Sequence, residues 1–416
     1  MEILITAEEF EAAFATLKNF VHRPGSDSSM LTMAATHMTA DKDAGTVTFV
    51  GNNPSQKISF AIEAEVAEAG EALVSVADVL TALSTIADKT QKVRVSLEDN
   101  DLGIHSKRVS VNVPVFDIKG ASVRPRAPKI AAGNALSISI DAESLPVLFA
   151  RASSPAMGES RMPKILMWVE EGEFCLMSLS DIGVSFASAS GAKASGESDL
   201  VLWDAGNLRR IVGLAASADE IKFSQDANAD GVLAPEFTVT VKGKDCTFTI
   251  EQVLEEVHVS YRDAREKLSA RAVSTLNTSV TSVTVKGSDI SRAMESAEKV
   301  RVLGRDKANG LTTFLSISSG LLSVALEDET FSEEIDSAKT DGTLPRSVGV
   351  NAKMTLAMLA ALGPDAKVTL HLPPEDPSGR TSFAAVTCQD SNTASRVESL
   401  PATGFWGLTS FRADAR

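Results

Sequence analysis

Histidine is the commonest general base, and metal sites are built from His, Cys, Asp and Glu at fixed spacings, so these residues bound the chemistry the chain could perform. The five histidines, His22, His37, His105, His258 and His371, are scattered. No two stand at the i, i+4 spacing of a zinc-binding helix, and neither a Gly-x-Ser-x-Gly elbow nor a Gly-x-x-x-x-Gly-Lys-Ser/Thr phosphate loop occurs. Three cysteines, Cys175, Cys246 and Cys388, lie far apart, which suggests neither a disulfide framework nor a zinc site and fits a reducing cytoplasm. The best metal candidate is the run from Asp226 through Asn228 and Asp230 to Gly231, the first half of a calcium loop. Its twelfth position is Phe237 where a bidentate glutamate is required, so a hairpin turn is the expected reading, as it is for Asp99-Asn100-Asp101. Glu8, Glu9 and Glu11 crowd the first turn of a predicted helix, where the helix dipole favours carboxylates. No catalytic residue, metal or cofactor is expected.

The elements that would have to position any site come next. The chain has 416 residues, 44% of them apolar and 23% charged, enough for two to four domains with real cores, and global disorder is excluded. Its net charge of −15 is the opposite of the basic balance that usually marks a nucleic-acid binder. The first residues, MEILITAEEFEAAF, are acidic where a signal peptide would be basic, and no uninterrupted apolar run reaches about 18 residues, so neither export by that route nor a membrane span is expected.

A strand followed by an amphipathic helix recurs roughly every 140 residues. It starts at Glu2 to Ile5 with Phe10, Phe14, Leu17 and Val21 on the helix, and returns at Leu136 to Ile140 with Leu145, Leu148, Phe149 and Ala152. The third copy is Val280 to Val285 with Ile290, Ala293, Met294 and Ala297. Each segment holds a second strand and helix about 65 to 70 residues later, carrying Val79, Leu80, Leu83 and Ile86, then Leu208, Ile211, Val212 and Ala215, then Met354, Met358 and Leu362. Alternating runs split by Gly51-Asn52-Asn53-Pro54 and by Ser318-Ser319-Gly320 predict hairpins. Many strands and two helices per segment predict an α+β fold with helices on one face of antiparallel sheets. Pro and Gly clustered at residues 120–134 and a polar stretch at 269–279 set expected domains of 1–124, 125–268 and 269–416.

Basic residues recur just beyond the first helix of each repeat: His22 and Arg23, then Arg161 and Lys164, then Arg301, Arg305 and Lys307. The second-half helices add Lys89 and Lys92, Arg209 and Arg210, and Lys353. Equivalent repeat positions fall on equivalent surfaces, so these could form a phosphate-facing collar. Cations also gather at helix C termini and in solvated loops for reasons unconnected with DNA, and that alternative stays open.

Residues 74–117 (VSVADVLTALSTIADKTQKVRVSLEDNDLGIHSKRVSVNVPVFD), LMSLSDIGVSFASAS, VLWDAGNLRRIVGLAASADEIKF, Ser260-Tyr261-Arg262 and RVESLPA follow one another in an order and spacing that resembles the bacterial-type DNA polymerase sliding clamp, the beta subunit of DNA polymerase III. The likeness covers about residues 1 to 403. It implies three similar domains, each of two β-α-β-β-β halves, and a head-to-tail homodimer closing a six-domain ring. Sheets would lie outside, and helices would line a hole around duplex DNA. The function implied is that of a non-catalytic processivity factor in the cytoplasm, on the nucleoid or in a phage-infected host. It would bind double-stranded DNA without sequence preference and tether the polymerase, the clamp loader and other proteins carrying a clamp-binding motif. A clamp-fold scaffold repurposed for protein assembly or transcription, without DNA encirclement, is the alternative.

Carried over by position, the DNA-facing residues are Arg23, Lys89, Arg151, Arg161, Lys164, Arg209, Arg210, Arg305 and Lys307. The ring joint would set Val109 and Val111 of the first domain against Val300 and Val302 of the third, although such aliphatic residues also suit an ordinary core. The partner-peptide pocket corresponds to Ser180, Asp181, Val184, Ser185, Val259, Tyr261, Arg262, Leu400 and Ala402. Ser185 replaces a customary leucine and Asp263 a customary arginine, departures that suggest a divergent lineage, with a bacteriophage origin as the hypothesis. The tail 404–416 runs past the usual terminus and carries Phe405, Trp406, Leu408 and Phe411. Two readings of it stand: an apolar tail packed on its own domain, or one that docks into a peptide pocket.

Overall fold

The computed structural model describes residues 1–21, 34–117, 136–153, 164–170, 172–180, 183–195, 201–225, 232–241, 244–253, 281–303, 313–318, 320–326, 330–337, 339–341, 348–350, 352–363, 365–372, 382–388 and 406–411, with isolated positions between 263 and 277. Both expected domain boundaries, at 124/125 and 268/269, lie outside the described residues.

The first segment opens with β1 (Glu2–Thr6), α1 (Ala7–Leu17), β2 (Ala35–Asp41), β3 (Thr46–Asn52), β4 (Gln56–Glu63) and a short β5 (Glu65–Glu68). It repeats the theme as β6 (Gly70–Ser75), α2 (Val76–Ser84), β7 (Lys92–Glu98), β8 (Asp101–His105) and β9 (Ser110–Phe116). The second segment runs β10 (Leu136–Asp141), α3 (Leu145–Ser153), β11 (Lys164–Glu170), β12 (Glu173–Ser180), β13 (Gly183–Ser190) and a short β14 (Lys193–Ser195). It continues with β15 (Val201–Asp204), α4 (Ala205–Ala215), β16 (Ala218–Gln225), β17 (Val232–Val241) and β18 (Lys244–Val253). The third follows suit: β19 (Thr281–Lys286), α5 (Gly287–Leu303), β20 (Thr313–Ser318), β21 (Leu321–Leu326), β22 (Ser332–Asp336), β23 (Lys339–Asp341), then β24 (Val348–Val350), α6 (Ala352–Leu362), β25 (Lys367–Leu372), β26 (Ser382–Cys388) and β27 (Trp406–Phe411). Each half is thus a β-α-β-β-β string, with one extra short strand closing every first half. The repeat read from the hydrophobic spacing is present in the chain.

The helices form where the sequence caps and buries them. Thr6 accepts from the Glu9 amide at 3.2 Å and so caps the start of α1, while its hydroxyl donates to the Glu9 carboxylate at 2.6 Å. Ser75 accepts from the Asp78 amide at 3.3 Å and starts α2 in the same way. Phe10, Phe14 and Leu17 are buried as their spacing predicts, as are Leu145, Leu148, Phe149 and Ala152, and Ile290, Ala293, Met294 and Ala297. Of the second-half set in the first segment, Val79, Leu83 and Ile86 are buried and Leu80 is half-buried at the margin of the face. The hairpin turn at Asn53 is held by its side chain, which accepts from the amides of Ser55 and Gln56 and donates to the Phe20 carbonyl at 2.8 Å. In the β20–β21 hairpin of the third segment, Gly320 takes the left-handed φ of 83° that the turn requires, as Gly45 does at 64° in the equivalent β2–β3 turn of the first.

Every strand pair is antiparallel, and the chain gathers into two compact units. The first comprises Met1–Glu143, Lys193–Glu197 and Arg209–Glu256. It holds one 14-stranded sheet in the order β14-β10-β16-β17-β18-β4-β3-β2-β6-β9-β8-β7-β1-β5. Its seam is the β18–β4 ladder, from Phe248↔Phe60 to Gln252↔Gln56, where strands of the second segment pair with those of the first. An aromatic chain crosses the seam: Phe10 to Phe14 at 4.9 Å, Phe14 to Phe49 at 5.7 Å, Phe49 to Phe60 at 5.4 Å and Phe60 to Phe248 at 4.9 Å between ring centroids. The second unit comprises Ser144–Ala192, Ser198–Leu208 and Val257–Arg416. It holds a nine-stranded sheet, β15-β11-β12-β13-β27-β26-β25-β19-β23, and a four-stranded one, β22-β21-β20-β24. Within it α6 packs on α5 and α3, while in the first unit α1 packs on α2. The fold class is α+β, as expected.

Candidate nucleic-acid interface and sheet edges

Among the described residues, the histidines and Cys246 are engaged structurally, while His22 and His258 lie outside them. His37 Nε2 lies 3.0 Å from Glu71, and His105 Nδ1 lies 2.8 Å from the Ser110 hydroxyl, with its Nε2 3.6 Å from Glu98. Burial pushes His371 down to about 4, so it is neutral at physiological pH, and burial pushes the Cys246 thiol up to about 11. Among the described residues no cluster of three or more His, Cys, Asp or Glu is placed to hold a metal ion. The Asp226 run lies outside the described residues; the strands that precede and follow it, β16 and β17, pair antiparallel. Asp99 occupies the β7–β8 turn at a φ of 53°, the left-handed conformation that Asp and Asn tolerate.

The expected DNA-facing cations divide into three groups. Arg23, Arg161, Arg305 and Lys307 lie outside the described residues. Arg209 and Arg210 are exposed on α4, whose other face buries Leu208, Ile211, Val212 and Ala215. Arg210 donates to the Gln56 side chain at 3.4 Å, whereas Arg209 projects into solvent. The remaining cations have structural partners. Lys89 Nζ donates to the Leu83 carbonyl at the end of α2 at 2.7 Å and stands 2.9 Å from Glu11 of α1, so it caps one helix and ties it to the other. Arg151, half-buried in the last turn of α3, offers its carbonyl to the Ser185 hydroxyl at 2.6 Å. Lys164 opens β11 opposite Asp204, and Arg301 forks onto Glu298 one turn earlier. Replacing Lys89 with alanine is expected to cost about 1 kcal/mol of first-unit stability, measured by chemical denaturation, because a partly exposed charged hydrogen bond and ion pair are lost together.

Val109 and Val111 are half-buried rather than core. Val109 closes a tight turn, accepting from the Ser106 amide at 2.8 Å, and Val111 lies on β9. That strand pairs with β8 along Ser110 to Pro114 but with β6 only at Val115 and Phe116, so among the described residues its first half keeps one open edge. The adjoining turn carries the exposed Lys107 and Arg108. In the second unit, Val300 is half-buried on α5, and the side chain of Val302 lies outside the described residues. Packed on α5 is β22, joined by the Arg292–Glu333 ion pair at 3.2 Å. Among the described residues β22 pairs with β21 alone, and it exposes Glu334 and Asp336. Two open edges of opposite charge are therefore present, a feature the valine pattern did not reveal. Its trace in the sequence is two short charge runs, Lys107-Arg108 and Glu333-Glu334.

Of the expected pocket residues, Asp181, Val259, Tyr261, Arg262, Leu400 and Ala402 lie outside the described residues. Ser180 and Val184 belong to the β12–β13 hairpin, in the pairs Ser180↔Gly183 and Leu179↔Val184. Ser185 is fully buried, its hydroxyl turned to α3. The tail is not an appendage: its residues Trp406–Phe411 form β27, hydrogen-bonded to β26 of its own segment on one side and to β13 on the other. Alternation in WGLTSF was the available signal, and the family terminus obscured it.

Comparison of the sequence with protein-family models and with curated protein sequences finds no match. Solved structures do match over essentially the whole length. The chain is similar to the beta subunit of DNA polymerase from Streptococcus pyogenes (13% identity, 99% of each chain, TM-score 0.75). It is similar to the DNA polymerase III subunit beta from Pseudomonas aeruginosa (14% identity, 99% of this chain and 100% of that one, TM-score 0.74). It is likewise similar to the DNA polymerase III beta chain from Streptococcus pneumoniae (16% identity, 100% of each chain, TM-score 0.74). The fold is that of the beta sliding clamp.

Proposed function

We propose that this chain is a divergent sliding clamp, a non-catalytic processivity factor that encircles duplex DNA as a homodimer and tethers a polymerase. The observation that carries the reading is the threefold recurrence of paired β-α-β-β-β halves, matched end to end by beta-subunit structures. On this reading the domains are 1–124, 125–268 and 269–416, and two chains of three domains close a ring. The open β9 edge, with Lys107 and Arg108, then meets β22 of a second copy, with Glu334 and Asp336. Exposed Arg209 and the partly engaged Arg210 supply light phosphate contacts. Such contacts suit a protein that must slide, because every neutralised phosphate adds to the hold on one place. The acidic surplus then resides on surfaces away from the duplex and discourages nonspecific adhesion. Partner proteins would dock near residues 180–185, 259–262 and 400–402. Among the described residues no helix is long and apolar enough to cross a membrane.

The test is retention on circular against linearised plasmid, with the double variant Arg209→Glu, Arg210→Glu as control. Wild-type protein is expected to stay on the circle and run off the linear form, while the variant weakens DNA-dependent retention about tenfold and flattens its salt dependence. Equal behaviour on both topologies sinks the encirclement reading. A repurposed scaffold that no longer holds DNA is the second reading. It is favoured by one observation: Lys89 and Arg301 are spent on Glu11 and Glu298, and the first turns of α1 and α2 carry Glu8, Glu9 and Asp78. Such a scaffold would dimerise yet ignore both plasmids.

A further inference from the structure

His105 ends β8 where the β9 edge is open, and its ring ties three strands together. Nδ1 lies 2.8 Å from the hydroxyl of Ser110, its ladder partner at the start of β9, and Nε2 lies 3.6 Å from Glu98 of β7. Glu98 in turn accepts from the Ser96 hydroxyl at 2.7 Å. The ring lies over Gly103, where a side chain would collide with Nε2. Nε2 is shut off from solvent and, among the described residues, has no hydrogen-bond partner, because Glu98 stands just beyond that distance.

The charges around the ring come from neighbouring strands and one turn. β7 brings Glu98 and Arg94, the latter opposite His105 in the ladder, and the turn after β8 brings Lys107 and Arg108. Asp101 lies on the same face of β8, opposite Glu98, while the first half of β9 adds only the uncharged Ser110 and Asn112 there. Asp88, held below the usual carboxylate range chiefly by Thr90, is within electrostatic reach of Lys107. Glu98 is likewise held low, first by the Ser96 hydroxyl and then by the charges of His105 and Arg94. Carboxylates, lysine and arginine keep their charge across the neutral range, so the imidazole is the group of this cluster that changes charge there.

We propose that His105 is a proton-sensitive latch of the ring joint: protonated, it adds a positive charge beside Lys107 and Arg108 to the β9 edge that meets Glu334 and Asp336 of a second copy. The inference rests on the clamp reading of those two edges and adds its regulation. Deprotonation leaves the ring in place, since the Ser110 hydroxyl then donates to Nδ1, but it removes that charge from the edge. What changes is charge rather than shape. Because the second copy offers carboxylates, joining favours the protonated ring. The contribution is full below the histidine range and is lost as pH rises through it.

Sedimentation of the full chain at about pH 6 and about pH 8 reads the effect. The wild-type dimer is expected to be about tenfold tighter at the lower pH, about threefold from each of two joints. His105→Gln, polar but never charged, should be as weak at both values as wild type is at the higher. His105→Lys, charged throughout, should be as tight at both as wild type is at the lower. Circular dichroism of each variant reports its folding, and a merely structural role for the ring would weaken both variants alike, with no dependence on pH. A wild-type affinity that is the same at both values overturns the proposal, as does a pH dependence that His105→Gln retains in full. A wild-type chain that is monomeric at both values removes the clamp reading itself and the latch with it, so the two failures are told apart.

Discussion

Deleting residues 404–416 is expected to unfold the second unit. β27 is the middle strand of the nine-stranded sheet, paired from Gly183↔Thr409 to Phe186↔Trp406 with β13 and from Ser382↔Phe411 to Thr387↔Trp406 with β26. Its removal leaves two facing strands without partners in the centre of a sheet, where water replaces the lost hydrogen bonds poorly. Each buried backbone group left unpaired costs about 1 to 3 kcal/mol, so a handful of lost rungs matches the whole stability of an ordinary domain, about 5 to 15 kcal/mol. Limited proteolysis and thermal melts of the truncated chain should show early cleavage within 257–403 and loss of the cooperative transition for that unit. A truncated chain that melts at the wild-type temperature with the same cooperativity would mean that β27 is dispensable and that the tail is an appendage after all. The first unit, which draws on no residue beyond Glu256, should keep its own protection.

The contrast between this strand and the helices shows which physics is legible in a sequence. Phe10 and Phe14, or Ile290 and Met294, announce a buried helical face because periodicity is local and burial follows it directly. Three copies of one phrase then imply three copies of one unit. Strand partners carry no such signal: nothing in KISFAIE states that it pairs with CTFTIEQ almost 190 residues away, since both runs alternate correctly with any antiparallel neighbour. The same holds for charge. Lys89 looked like a phosphate ligand because position and sign were right, but whether a lysine turns to solvent or back to a helix C terminus depends on Glu11, a residue 78 positions earlier in the chain. Ser185 is the mirror case, a hydroxyl in an apolar strand that gains its reason only when the Arg151 carbonyl is seen beside it.

Reversing the charge of one open edge is expected to break the dimer, and reversing the other on a second chain to restore it. In Lys107→Glu, Arg108→Glu protein the β9 edge carries carboxylates toward Glu334 and Asp336 of the neighbouring copy. Like charges across an interface cost several kcal/mol, so the dissociation constant should rise about 100-fold or more. Glu334→Lys, Asp336→Lys protein should fail in the same way, with lysine facing lysine and arginine. All four positions are exposed, and Glu333 with its Arg292 partner is left alone, so folding is not at stake. Mixing the two variants is the decisive step. In a head-to-tail pair every joint sets β9 of one chain against β22 of the other, so the mixed dimer has two complementary joints, one native in sign and one inverted. Sedimentation should therefore find wild-type protein near twice 43.9 kDa, each variant near 43.9 kDa, and the equimolar mixture back at the dimer mass. Raising the salt concentration should weaken the wild-type and mixed dimers alike, because exposed charge pairs are screened within about 8 to 10 Å. Two variants that each remain dimeric, or a wild-type chain that is monomeric at micromolar concentration, would remove these edges from the ring joint and with them the closed ring. A mixture that stays monomeric although both variants fold would leave the edges important but oppose the head-to-tail arrangement, since only that arrangement pairs each altered edge with its complement.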